Sequence, residues 1–204
     1  MTKIVELIIS EDNLENEDGV FAISLVEEPA IEEHWIALNK QKKDEKVITF
    51  AKLDEDKRLL IAPALIPNKQ IIRVSPDGED YYVYFSRKTI NRASQLFLQN
   101  HHQSEATYQH EHKVNDITVV ESWIKEFTID KSVNYGFEHL PVGTWFVTMK
   151  VDNDEVWEKV KNGDVKGFSI EGYFTDKMQE MSKTEEDVIL ERIKEIILSD
   201  SENK

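Results

Sequence analysis

The feature that most limits this chain is the spacing of its apolar residues. They come in short runs that alternate or stay apolar for a handful of positions, each closed by a polar turn. A period of two suits a pleated strand, whose successive side chains point to opposite faces. Lys3–Ile9 (KIVELII) alternates and then runs apolar. In GVFAISLVEEPAI, Phe21, Ile23 and Leu25 share one side, and Pro29 marks the end because proline cannot donate to a ladder. Arg58–Pro67, Gln70–Val74 and Asp80–Ser86 read as further strands, with SPDGED as the turn between the last two. ATYQHEHKV and DITVVESWIKEFTI read as strands joined by a polar turn at Asn115 and Asp116, and TWFVTMKV as another. In Asn162–Phe174, NGDVKGFSIEGYF, a turn and a glycine lead into a strand that carries one hydroxyl, Ser169.

Three segments carry helical spacing instead. Ser86–Asn100 sets Ile90, Ala93, Leu96 and Phe97 on one face behind a Ser86 cap. DNDEVWEKVKNG pairs Asp152 with Glu155 in a capping-box pattern and ends at Gly163, a left-handed C-cap. Thr184–Leu198 is amphipathic, with Val188, Ile189, Ile193, Ile196 and Ile197 together. Asn39–Lys46 (NKQKKDEK) reads as a solvated loop or linker. The expected fold is α+β: a mainly antiparallel sheet or barrel with about three helices. One domain spans 1–176, and 177–204 is an acidic C-terminal segment holding the last helix.

Charge and composition remove whole classes of chemistry. Forty acidic and 25 basic residues give a net charge of −15, which argues against nonspecific binding to nucleic acid or anionic membrane. With no cysteine, thiolate catalysis, disulfides and zinc–thiolate sites are excluded, which suits a reducing cytoplasm. No apolar run approaches the roughly 20 residues of a membrane helix, and MTKIVELII lacks the pattern of a secretion signal.

Four of the six histidines crowd into NHHQSEATYQHEH: His101, His102, His110 and His112. They could chelate a metal, supply a base to a distant serine, or be polar loop residues. Ser169 is the leading nucleophile because Gly167 and Gly172 flank it, allowing close approach by a substrate backbone or an oxyanion hole. Ser122 is its rival. Glu121 interrupts an apolar strand beside Val119 and Trp123, where a partly buried acid needs a partner such as a histidine N–H. Glu171 is the rival acid, two residues from Ser169 and on the same face.

The run TYQHEHKVNDITVVESWI, followed by LPVGTWFVTMKVDNDEVWEKVKNGDVKGFSIEGYF, resembles the XkdF-like phage serine proteases, grouped with the prohead, or capsid maturation, proteases of tailed phages. GVFAISLVEEPAIEEHWIALN, RLLIAPALIPNKQIIR and YYVYFSRKTI resemble the family too, so the likeness runs from about Gly19 to Phe174. It implies a β-barrel similar to herpesvirus assemblin with helices around it, and a serine endopeptidase; the absence of cysteine and of a full zinc motif adds the expectation that it needs no cofactor or metal. Its histidine carries onto His110 in QHE, its serine onto Ser169 in KGFSIEG, and its acid onto Glu121. Its substrates would be the scaffold protein and the leading segment of the major capsid protein, cut inside the assembling prohead in the host cytoplasm. The portal is a further candidate partner, and a homodimer a candidate state. SLVEEPA precedes the serine strand here but follows it in other prohead proteases, which a circular permutation reconciles. Two other functions compete: a noncatalytic phage structural protein of the same fold, and a metal-dependent hydrolase built on the histidine cluster.

Overall fold

The computed structural model describes residues 3–11, 15, 18–27, 36–37 and 57–177. Among these residues twelve strands are formed: β1 (Ile4–Ile8), β2 (Gly19–Val26), β3 (Ile36–Ala37), β4 (Leu59–Leu65), β5 (Ile71–Val74), β6 (Asp80–Phe85), β7 (Ala106–Tyr108), β8 (His112–Val114), β9 (Ile117–Ile124), β10 (Trp145–Val151), β11 (Gly167–Tyr173) and β12 (Thr175–Lys177). They assemble into three four-stranded sheets of order β12-β1-β6-β5, β3-β4-β10-β9 and β11-β2-β7-β8. Seven of the nine pairings are antiparallel; β1–β6 and β2–β7 are parallel.

Two α-helices lie among the described residues. The first, α1 (Arg87–Gln99), starts where the Ser86 hydroxyl accepts the Thr89 N–H, and it buries Ile90, Ala93, Leu96 and Phe97. The second, α2 (Asp154–Asn162), buries Val156, Trp157 and Val160 and ends at Gly163 with φ of 78°. Its N-cap is Asn153, whose side chain accepts the Val156 N–H at 3.0 Å, so the cap falls one residue after the expected Asp152. Asp154 and Glu155 open the helix and Lys159 and Lys161 close it, matching the helix dipole at both ends. The core is aromatic at its centre, where Phe97 meets Trp145 edge-on at 5.6 Å and Trp123 stacks on Phe146 at 5.1 Å.

Two expectations are corrected. The barrel with three surrounding helices is replaced by three open sheets and two helices, the segment Thr184–Leu198 lying outside the described residues. Closure requires each free edge to meet another in register. β11 lies against β4, yet the two share no ladder, and Pro63 within β4 has no N–H to donate. Likewise, ATYQHEHKV is not one strand. It folds as β7 and β8 around a tight turn at Gln109–Glu111. His110 and His112 therefore do not share a strand face.

Candidate active site

The sheet β11-β2-β7-β8 has two different faces, as alternation demands. Ile23, Leu25, Phe168, Ala106 and Val114 are buried in the core. The opposite face carries a polar row, set between the buried Ala22 and Val26 of β2. Register aligns Ser169 with Ser24, Ser24 with Thr107, and Thr107 with Lys113, so four polar side chains form a row across four strands. Glu171 pairs with Ala22 and lies two residues along β11 on the face of Ser169. Three segments distant in the chain thus contribute to one patch.

The ladder also fixes the main chain of β11. Ile23 donates its N–H to Glu105 O at 3.1 Å, and Leu25 O accepts from Gln109 N at 3.0 Å, so these residues turn their peptide groups toward β7. Ser24 then turns its own toward β11 and pairs with Ser169 through hydrogen bonds. It follows that Phe168 and Ile170 direct their N–H and C=O groups away from β2.

His110 hangs over this patch from the β7–β8 turn. Glu111 donates its N–H to Tyr108 O at 3.0 Å, and the two central residues, Gln109 and His110, have φ of 52° and 59°. Positive φ at both central positions is the type I′ form, which favours Asn-Gly and matches the twist of a hairpin. Here neither residue is glycine, so each carries a left-handed cost of roughly 1–2 kcal/mol. Such strain persists only where surrounding bonds over-determine it. Gln109 is tied at N to Leu25 O, and its Oε1 accepts the Glu27 N–H at 3.4 Å. His110 donates its N–H to the Ser24 hydroxyl at 3.0 Å.

The imidazole of His110 meets Glu171, with Nδ1 3.1 Å from Oε1. A carboxylate only accepts, so a hydrogen bond across this contact requires the proton on Nδ1, the tautomer that leaves Nε2 as the basic nitrogen. Thr107 Oγ1 donates to the same Glu171 oxygen, holding the carboxylate from a second strand. The His110 side chain is 41% exposed and that of Glu171 22%, so the pair is open on the imidazole side and screened on the carboxylate side. Among the described residues Ser169 makes no side-chain hydrogen bond. In unliganded hydrolases the nucleophile–base bond is often long and tightens on substrate binding.

Glu121 stands elsewhere, on β9 in the sheet β3-β4-β10-β9. Its carboxylate lies 3.0 Å from Lys131 Nζ and accepts from Thr148 Oγ1 at 2.8 Å. The Lys131 hydrogen bond, opposed by burial and aided by Thr148 and the Lys131 charge, holds its carboxyl below the ordinary 4.5. A β-bulge explains why strand alternation misleads here: Thr148 faces Glu121 and Met149 faces Val119, so Val120 is skipped. Ser122 accepts the Trp145 indole N–H at 2.8 Å and is thereby committed to the core. The structure brings His110 and Ser169 to one sheet with Glu171, and does not bring Glu121 to them.

The other histidines do not converge. His101 follows α1 in a left-handed conformation, His102 lies against Phe97, and His112 against Tyr108. Among the described residues no group of three or more His, Asp or Glu side chains is arranged to hold a metal ion. Gly172 serves the fold rather than a substrate: a Cβ there would lie 2.0 Å from the Gly19 carbonyl, so glycine lets β11 and β2 close together at the bulge. Sequence reading missed Ser24 and Thr107, each a lone hydroxyl in a strand whose importance depends on register.

A hydroxyl, an imidazole and a carboxylate on one side of a sheet are the parts of a serine hydrolase. The family model described as "Putative phage serine protease XkdF" matches residues 46–179, well over half of the chain, and the chain belongs to that family of phage serine proteases. The matched range contains His110, Ser169 and Glu171 and leaves out β1, β2 and β3. No curated protein and no solved structure matches the chain significantly.

Proposed function

We propose that the protein is a capsid maturation endopeptidase that cleaves scaffold and major capsid protein segments inside the assembling phage prohead in the host cytoplasm. The observation that carries this reading is the His110–Glu171 pair, suspended by a strained turn over the strand that bears Ser169. Family membership supplies the reaction class.

In this reading Ser169 is the nucleophile and His110 the base. Nε2 takes the Ser169 proton as the hydroxyl oxygen attacks the scissile carbonyl. Glu171 keeps the imidazole in the required tautomer and stabilises the imidazolium that forms. In this reading main-chain N–H groups of β11 directed away from β2 stabilise the oxyanion. His110 then protonates the leaving amine, and water attacks the acyl-enzyme with the same base. Glu171 takes the role that the resemblance gave to Glu121. The portal as a partner and a homodimer belong to the same proposal.

The test is co-expression with phage scaffold and capsid proteins, followed by mass spectrometry of fragments. Defined fragments with the parent chain, absent with Ser169→Ala, are expected. Intact scaffold and capsid protein with a folded parent chain would instead favour a noncatalytic structural role.

A further inference from the structure

We infer that Ser24 is a positioning residue for the reaction, acting through the backbone of His110. This rests on the assignment of His110 and Ser169 as base and nucleophile. Ser24 is fully buried, with 0% relative exposure, and its hydroxyl spends an acceptor site on a main-chain N–H outside the strand ladder. The recipient is the second central residue of a turn that no glycine relaxes. Ser24 lies between two strands, as the register partner of Ser169 on one side and of Thr107 on the other. One hydroxyl thus sits between the nucleophile strand and the strand that launches the base, and it fixes the height of the imidazole above both.

Without that bond, the His110 N–H would lose its partner and the left-handed pair at Gln109 and His110 would lose one restraint. The turn could then relax toward ordinary φ and carry the ring away from Glu171 and Ser169. A displacement of about 1 Å can cost a hundredfold in rate. Ser24 also precedes residues 46–179, the range matched by the family model.

The test uses a fluorophosphonate probe, which phosphonylates an activated serine with loss of fluoride, the serine proton passing to the base. It needs no knowledge of the substrate. Parent and Ser24→Ala chains are compared by maximal labelling rate and by the probe concentration giving half that rate. Exchange of the His110 amide is followed by nuclear magnetic resonance. Ser24→Ala should label tenfold to a hundredfold more slowly, with the half-saturating concentration within twofold and the His110 amide deprotected. Should Ser24→Ala fail to fold, Ser24→Cys keeps the size with a poorer acceptor and gives the same readouts. A parent-like labelling rate overturns the inference, as does a slower rate with His110 amide protection intact. Failure of the parent itself to label counts instead against the serine-protease reading.

Discussion

Replacing Glu171 by Gln removes one charge and leaves the shape of the site nearly unchanged. Its effect can be sized from the 3.1 Å contact with His110 Nδ1. Two unit charges at that distance interact by about 1.3 kcal/mol in a water-like dielectric and about 5 kcal/mol at an effective value near 20. With the imidazole 41% exposed and the carboxylate 22% exposed, solvent screening selects the lower part of that range, roughly 1.5–3 kcal/mol. The attraction appears only when the imidazolium forms, so it is lost from the transition state as a rate of about 10- to 150-fold. A flipped Gln amide that donates to Nδ1 would select the wrong tautomer and deepen the loss. Glu121→Gln is the matched control, since Glu121 faces Lys131 and Thr148 on another sheet; it should stay within about twofold of the parent. Single-turnover cleavage of the scaffold protein, with circular dichroism as a check on folding, measures both. Equal rates for parent and Glu171→Gln would refute the argument, and a larger loss in Glu121→Gln would return the acid role to β9.

His110→Ala should lose several orders of magnitude in cleavage rate while His112→Ala stays within about tenfold; the reverse order in a paired kinetic assay would mean that the wrong histidine had been assigned. Dialysis against a strong chelator should leave cleavage unchanged, because the histidines point to separate places; activity lost on chelation and regained with stoichiometric zinc would contradict this. The Glu121–Lys131 contact lowers a carboxyl below its ordinary 4.5, so its contribution to stability is present above that value and lost as pH falls through the lower folded one. The gap in thermal midpoint between parent and Glu121→Gln should therefore shrink as the pH is taken below about 4.5, and a gap that widens would reverse the sign.

Much of this fold is legible where the signal is local. The Ser86 cap and the spacing of Ile90, Ala93, Leu96 and Phe97 define α1, and Gly163 ends α2 as its position suggests. The pairing of Ser169 with Glu171 on one face follows from strand period alone. What escapes is decided by neighbours. Nothing in Gln109-His110 announces a type I′ turn, which is usually marked by Asn-Gly; the only hint is a polar run, YQHEH, that lacks the apolar alternation of a strand. The bulge at Val120 depends on the register against β10 and turns Glu121 out of the alternation predicted for it. Barrel closure depends on whether β11 and β4 form a ladder, and no single segment encodes that. Ser24 is invisible in AISLV until β2 is set between β11 and β7.

The most direct test of the account is to find which atom reacts. Parent protein treated with a fluorophosphonate and digested should carry one adduct, mapped by tandem mass spectrometry to Ser169, and the adduct should vanish in His110→Ala. An adduct on Ser24 or Ser122, or one on Ser169 that persists at full rate without His110, would contradict it.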